Sequence, residues 1–313
     1  MSSSNAASST EEGSPVASLV VPFFNAARWL RVTVPSLLGQ DVPVEIVFVD
    51  DGSSDASRAT VEALVEANQP EIEARGHRVE VLVHAANQGR SAARNSGVAA
   101  TTAPLLAFVD ADVALPPSWI GAQAAAHSRL DAVAVMPRRI PLGLDPVEPY
   151  HRYLAAKEER LGRADPYAPI PWSRFVTAAV TLCRDAFDSA GGFDTAIDYG
   201  EDTEIGLRIG RLYPNGFRLA PDIVAYHHDP DTLAVAVAKF TRFAERDLPR
   251  MLARYPELRD EVGATGTRGY LARAALGIVP TALIRAALPL LPESLHSLAV
   301  RGLIFDAIQP PRP

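Results

Sequence analysis

The chain has 313 residues, 48% of them hydrophobic and 21% charged, with a formal net charge of -7. That length supports one large α/β domain or two smaller ones around a sizeable core, and the acidic balance argues against broad nonspecific nucleic-acid binding. A single cysteine, Cys183, excludes an internal disulfide framework, fits a reducing compartment and reads as a packing residue.

Met1 to Ser14 is Ser-rich and polar, with no basic n-region or apolar h-region, so 1–16 reads as a disordered tail rather than a signal peptide. Ala17 to Phe23 is a buried first strand, its hydrogen-bonding ladder ended by Pro22. Asn25 is placed to cap an amphipathic helix carrying Trp29, Leu30, Val34, Leu37 and Leu38. Val44 to Val49 forms a second strand that runs into Asp50-Asp51-Gly52-Ser53-Ser54-Asp55, where Ser54 or Asp55 can cap a helix from Ser57 to Ala67. A third strand, Val79 to His84, leads through Asn87-Gln88-Gly89-Arg90 to a small-residue helix, Ser91 to Ala100.

The next strand, Leu105-Leu106-Ala107-Phe108-Val109, delivers Asp110 and Asp112. If the extended geometry persists, positions i and i+2 share a face and both carboxylates reach one cation. Hard oxygen ligands without a nearby cysteine suit Mg²⁺ or Mn²⁺, shared with substrate phosphates; the plain alternative is a strand ending in a solvated acidic loop. Short apolar strands alternating with helices imply right-handed crossovers and a mainly parallel sheet. Such sheets bind ligands beyond their strands' carboxyl ends, where the Pro22, Asp50-Asp51, Asn87-Gly89 and Asp110-Asp112 turns all fall.

These segments resemble, in order and spacing, the family 2 glycosyltransferases of the GT-A fold. The resemblance rests on Val21-Pro22-Phe23-Phe24-Asn25, Val49 to Asp55, Asn87 to Gly97, Phe108 to Asp112, Gly191-Gly192-Phe193-Asp194 and Gly200 to Arg208, and spans Ala17 to His228. It implies an α/β GT-A (Rossmann-like) mainly parallel sheet flanked by helices. A nucleotide-sugar-binding half would occupy 17–115, an acceptor-binding half 116–230, and a C-terminal helical extension 231–313. It also implies a nucleotide-diphosphate sugar donor, inverting transfer and a divalent metal, Mn²⁺ or Mg²⁺.

By position, Pro22 and Phe23 would border the nucleoside, and Asp51 would accept a hydrogen bond from the base, with Asp50 competing for that role. Arg90 would contact the nucleotide or hold its loop, and Arg94 and Asn95 read as structural. Asp110 and Asp112 fall on the metal and ribose positions, with Asp112 the direct ligand. His227 would be a further metal ligand; in a strand it and His228 point to opposite faces, so at most one binds. Inverting transfer needs a base for the acceptor hydroxyl. Asp202 is the choice, at a helix start (Thr203 to Leu212) where the dipole keeps a carboxylate ionised. Helix capping is its ordinary reading, and Glu201 is the alternative base. Glu204 and Arg208, four apart, read as a helix-surface ion pair. His77, His84, His127 and His151 carry no spacing signal and read as surface or packing residues.

Pro137 to Ser173 lacks clear periodicity and reads as an irregular segment shaping an acceptor pocket or lid, with Trp172 as a candidate sugar platform. Ala234 to Ala253 is helical, and Arg242, Arg246, Arg250 and Arg254 read as a solvated basic face in preference to a lipid- or polyanion-binding one. Tyr270 to Leu291 is apolar but interrupted by Arg273, Pro280 and Arg285, too short between its arginines to span a bilayer. It fits a hairpin covering the core or lying at a membrane surface, the latter suggesting a lipid-linked acceptor. A glycan or small-molecule hydroxyl acceptor remains open, and the expected location is cytoplasmic, with peripheral contact at the inner face of the membrane as the variant.

No Gln-x-x-Arg-Trp segment is present, so transfer is expected to be non-processive. Two alternatives stand beside this reading. A sugar-phosphate nucleotidyltransferase would carry a Gly-rich loop after the first strand, where this chain has Pro22-Phe23-Phe24-Asn25. A silent nucleotide- or sugar-binding scaffold would be favoured by loss of acidic residues, yet Asp110, Asp112, Glu201 and Asp202 are present.

Overall fold

A computed structural model describes residues 14–163, 165, 167–228 and 231–256. Most of the Ser-rich start and the whole apolar stretch from Tyr270 to Leu291 lie outside the described residues. In chain order the elements are β1 (Ala17–Phe23), α1 (Ala27–Leu38), β2 (Val44–Asp50), α2 (Ser57–Ala67), α3 (Gln69–Ala74), β3 (Arg78–Val83), α4 (Arg90–Ala99), β4 (Leu105–Val109) and a two-residue β5 (Val113–Ala114). They continue with α5 (Trp119–Leu130), β6 (Ala134–Leu142), α6 (Pro149–Gly162), β7 (Ala179–Cys183), α7 (Arg184–Ala190), α8 (Glu201–Leu212), β8 (Phe217–His228), α9 (Leu233–Arg242) and α10 (Leu248–Arg254).

All eight strands join one sheet in the order β3-β2-β1-β4-β7-β6-β8-β5. The β3-β2-β1-β4 portion is parallel, and β7 runs antiparallel to both β4 and β6. β1, β2 and β4 are apolar without alternation because both sheet faces are covered. Leu19, Val21 and Phe23 join the core under α1, while Val20, Leu106 and Phe108 pack with Val98, Phe187, Phe193 and Ile205 on the other face. Each such fully buried side chain contributes about 1.5–3 kcal/mol. The small residues of α4 have a direct cause: a Cβ on Gly97 would stand 2.4 Å from Val20 Cγ1, so only glycine lets this helix lie so close to β1.

Several local expectations are corrected. Pro22 does not end β1: the register continues through Phe23 opposite Asp50, and Asp51 N–H donates to Phe23 O at 2.9 Å. Asn25 does not cap α1, which starts after Ala26; Asn25 takes a positive φ of 50° and its Oδ1 accepts from the N–H groups of Ser54 and Asp55. It therefore fastens the β2–α2 loop to the end of β1. The segment from 137 to 173 is not irregular throughout, since it holds the second half of β6, the 14-residue α6 and a 3-10 turn at Trp172–Arg174. Glu148 caps α6 by accepting from Tyr150 and His151 N–H. Trp172 packs where a Cβ on Gly210 of α8 would meet it at 2.7 Å, which explains that ring as packing. Among the described residues no helix is long and apolar enough to cross a membrane.

Candidate active site

The carboxyl ends of β1, β2, β3 and β4 open onto one cleft of about 450 Å³, lined by Pro22, Phe23, Asp51, Gly89, Arg90, Asp110 and Asp112 among others. Asp50 is not among the lining residues: it is 2% exposed, and its Oδ1 accepts from Ser53 N–H to close the turn. Asp51 is also buried, yet it reaches the cleft. Gln88 N–H donates to its Oδ1 at 2.9 Å and Gly89 N–H to its Oδ2 at 2.8 Å, so this carboxylate holds the β3–α4 loop. His84 Nδ1 lies 2.7 Å from Asp51 Oδ1, and its Nε2 lies 3.0 Å from Ser96 Oγ. His84 is thus a positioning residue, which its isolated place in the sequence did not signal.

β4 ends at Val109, and the next residues form a turn closed by Val113 N–H donating to Asp110 O at 3.1 Å. Thr33 Oγ1 of α1 donates to Ala111 O and holds that turn. The extended geometry therefore stops before the acidic pair, and the two carboxylates take different neighbours. Asp112 Oδ1 lies 3.3 Å from His227 Nε2, across the short β5–β8 pairing of Val113 with His227. His228 stacks on Trp29 at 5.2 Å. Burial pulls the His227 imidazole pKa down, but the Asp112 hydrogen bond and charge outweigh it and leave the pKa raised.

Asp110 instead accepts from Arg94 Nη2 at 2.9 Å, while Arg94 Nη1 donates to Glu201 Oε1 at 2.8 Å. Arg94 is 1% exposed and Glu201 4%. One buried guanidinium thus ties the end of β4 to the start of α8, reaching from Arg94 to Glu201, 107 positions along the chain. Burial would raise the Asp110 pKa, but Arg94 and then Arg90 hold it below the ordinary carboxylate range. α8 begins at Glu201, two residues earlier than its sequence pattern suggests, with Gly200 as N-cap. Asp202 is therefore in the first turn and not the cap. Its Oδ1 accepts from Thr203 N–H at 2.7 Å. Burial, followed by the neighbouring Glu201 charge, raises the Asp202 pKa to about 6.

The loop before α8 is gripped from two sides. From α4, Asn95 both donates to Phe193 O and accepts from Phe193 N–H at 2.9 Å, and Arg90 Nη2 donates to Asp198 O. From the C-terminal helices, Arg242 and Arg246 pair with Asp198 at 2.7 and 3.1 Å, Arg250 donates to Ala196 O, and Arg254 pairs with Asp194 at 2.6 Å. The four arginines remain about half exposed, but they form an interface with this loop and not a free solvated face. A π-helical turn at Phe243–Asp247 between α9 and α10 brings buried Asp247 to Tyr199 N–H and sets Phe243 against Gly200. Glu204 and Arg208 do pair, but Glu204 is 1% exposed and also accepts from Tyr255 Oη at 2.7 Å, so this pair is buried.

A polar cleft at the carboxyl edge of the parallel strands, with carboxylates from β4 and α8 joined by a buried arginine, belongs to an α/β fold of the GT-A type. The profile described as Glycosyl transferase family 2 matches residues 18–186, more than half of the chain, and the chain belongs to that family. It is 32% identical over 217 residues to a pre-mycofactocin glycosyltransferase of Mycobacterium tuberculosis, covering 67% of this chain and 42% of that one. It is 30% identical over 232 residues to a validoxylamine A glucosyltransferase of Streptomyces hygroscopicus, covering 62% and 51%. The chain thus spans about half the length, or less, of these curated relatives. Among solved structures, a mannosyltransferase from Pyrobaculum calidifontis in complex with GDP-Man and Mn²⁺ superposes with a TM-score of 0.59 at 19% identity, covering 94% of this chain and 86% of that one. Staphylococcus aureus TarS (residues 1–349) superposes with 0.54 at 15% identity, covering 93% and 88%. Both likenesses concern the fold.

Proposed function

We propose that this chain moves one sugar from a nucleoside-diphosphate donor to an acceptor hydroxyl with inversion, non-processively and with Mn²⁺ or Mg²⁺. The observation that carries the reading is the Arg94 bridge, which ties Asp110 of the donor cleft to Glu201, the chain neighbour of Asp202. Pro22 and Phe23 border the nucleoside. Asp51 has three protein donors for four lone-pair sites, leaving capacity to accept from the base.

Asp112 offers a carboxylate oxygen, a donor that suits Mn²⁺ or Mg²⁺, and His227 an imidazole nitrogen 3.3 Å from it. Among the described residues no three such side chains gather closely enough to hold an ion alone, so diphosphate oxygens would complete the shell. When bound, the cation would offset negative charge growing on the leaving diphosphate. Asp110, kept ionised by Arg94, adds a fixed negative charge beside that position.

Asp202 is the base. A pKa of about 6 leaves it ionised at neutral pH yet basic enough to accept the hydroxyl proton as the bond to the sugar forms. Glu201 is the weaker candidate because Arg94 occupies it, with Arg90 a further 3.6 Å contact. The test is a thermal-shift panel of UDP-, GDP- and dTDP-sugars with and without Mn²⁺, followed by NMR of the first-formed product anomer. Mn²⁺-dependent stabilisation and an inverted anomer are expected. No nucleotide-diphosphate binding under any condition would sink the transferase reading, and retained configuration would overturn the assignment of Asp202 as base to an inverting reaction.

A further inference from the structure

A second cavity, of about 550 Å³, lies between β6, α6 and the Trp172–Arg174 turn. Its size falls within the range of about 300–1,000 Å³ usual for ligand pockets. Five of its lining side chains are charged: Arg139, Lys157, Arg160 and Arg174 against the single carboxylate of Glu158. Among the described residues none of the four cations is ion-paired, whereas the arginines of α9 and α10 all are. Arg160 and Arg174 are exposed, Arg139 and Lys157 half-buried, so cationic groups run from surface positions into the fold. Glu158 is 7% exposed and its Oε2 has no hydrogen-bond partner. Concentrated like charge of this kind is costly without an opposite charge to meet it.

The position of the cavity is informative. Val176 and Ala179 in its wall flank Ala178, whose carbonyl accepts from Asp110 N–H at 2.9 Å. Arg139 pairs in register with Ala225, two residues before His227. The cavity therefore adjoins the donor cleft from the far side of Asp110 while sharing none of its lining residues. The donor's own phosphates have their place at the carboxyl ends of β1 to β4.

We infer that this cavity receives an anionic group, phosphate or carboxylate, carried by the acceptor near the hydroxyl that is glycosylated. The word acceptor rests on the transferase reading; anion binding in the cavity does not. Burial, then Arg139, pushes the Lys157 pKa down, and burial pushes the Glu158 carboxyl up; an anion bound among the cations would push the Lys157 pKa back up.

The test uses the full chain with its donor site filled by Mn²⁺ and whichever nucleoside diphosphate the thermal-shift panel identifies, or with the site empty if none binds. Phenyl phosphate, benzoate and benzyl alcohol are titrated calorimetrically into the wild type, Lys157→Gln and Arg174→Gln. At least one anion is expected to bind the wild type and to lose about tenfold in affinity in each variant, as for loss of a charge-assisted hydrogen bond. Preference for phenyl phosphate assigns a phosphorylated acceptor, and preference for benzoate a carboxylated one. No anion binding, equal affinity across wild type and variants, or equally good binding of benzyl alcohol overturns the proposal. If Lys157→Gln does not fold by circular dichroism, exposed Arg174→Gln makes the same comparison. Nucleotide binding is read separately, so failure of the donor site and failure of this cavity give different results.

Discussion

Replacing Asp202 by Asn should remove activity and stabilise the fold in the same variant. Folding raises the Asp202 carboxyl from 3.8 to about 6, chiefly through burial, so the folded state holds a proton that the unfolded chain has released. Stability therefore falls as pH rises through that window, and the loss is complete above pH 6. A shift of roughly two units corresponds to about 3 kcal/mol, which partial exposure reduces to about 2. Asn carries no charge to desolvate, so Asp202→Asn should gain about 2 kcal/mol at pH 8 and almost nothing at pH 4, read by urea denaturation at both values. Sugar transfer should drop by at least 1,000-fold with nucleotide affinity unchanged, and the wild-type rate should fall about tenfold per unit below pH 6. An Asn variant that is no more stable at pH 8 than at pH 4, relative to wild type, would refute the burial argument. One that still transfers sugar would refute the assignment of the base.

Three further outcomes follow from the same geometry. Arg94→Gln leaves buried Glu201 and partly exposed Asp110 without their cation and should cost about 3–5 kcal/mol; a urea-denaturation loss under 1 kcal/mol would mean the bridge is unimportant. Asp112→Asn and His227→Ala should each weaken Mn²⁺-dependent binding of the nucleoside diphosphate at least tenfold while sparing metal-independent binding, measured by calorimetry; unchanged affinity removes that residue from the ligand set. Gly200→Ala forces a side chain at φ 78° and 2.5 Å from Phe243 Cε2, so it should cost about 1–3 kcal/mol and lower kcat by displacing the start of α8, with nucleotide affinity retained. A normal melting temperature and kcat in that variant would show that the C-terminal helices do not position the base.

β1, β2 and β4 were legible because they are buried on both faces and so appear as largely apolar runs: β1 matches its sequence limits, and β2 extends one residue further, whereas the half-exposed edge strand β3 starts and ends one residue earlier than expected. The convergence of Pro22, Asp51, Gly89, Asp110 and Asp112 on one cleft was legible for a related reason, since parallel strands place all their carboxyl ends at one edge. Asn25 misled because a capping residue type does not say which loop it fastens, and its side chain serves the β2–α2 turn 29 residues away. The arginine spacing in 242–254 correctly indicated one helix face, but periodicity cannot reveal that Asp194 and Asp198 wait opposite. Pro137 to Ser173 hid a strand and a helix because their packing surfaces mix Arg and Lys with apolar residues around a cavity.

What the amino-acid order determined by itself was the alternation of strands and helices and the residue types at the sheet edge, because burial periodicity and turn chemistry act over a few neighbouring positions. The partners of each carboxylate were decided only by the tertiary structure: Asp110 and Asp112, two residues apart, separate at a turn to meet Arg94 and His227. Asp202 and Glu201, side by side, have different surroundings: one guanidinium from α4 reaches Glu201, while burial and the Glu201 charge raise the Asp202 pKa. A hydrogen-bonded ion pair needs its charged atoms within about 4 Å, and only the folded chain sets which charges lie within that distance.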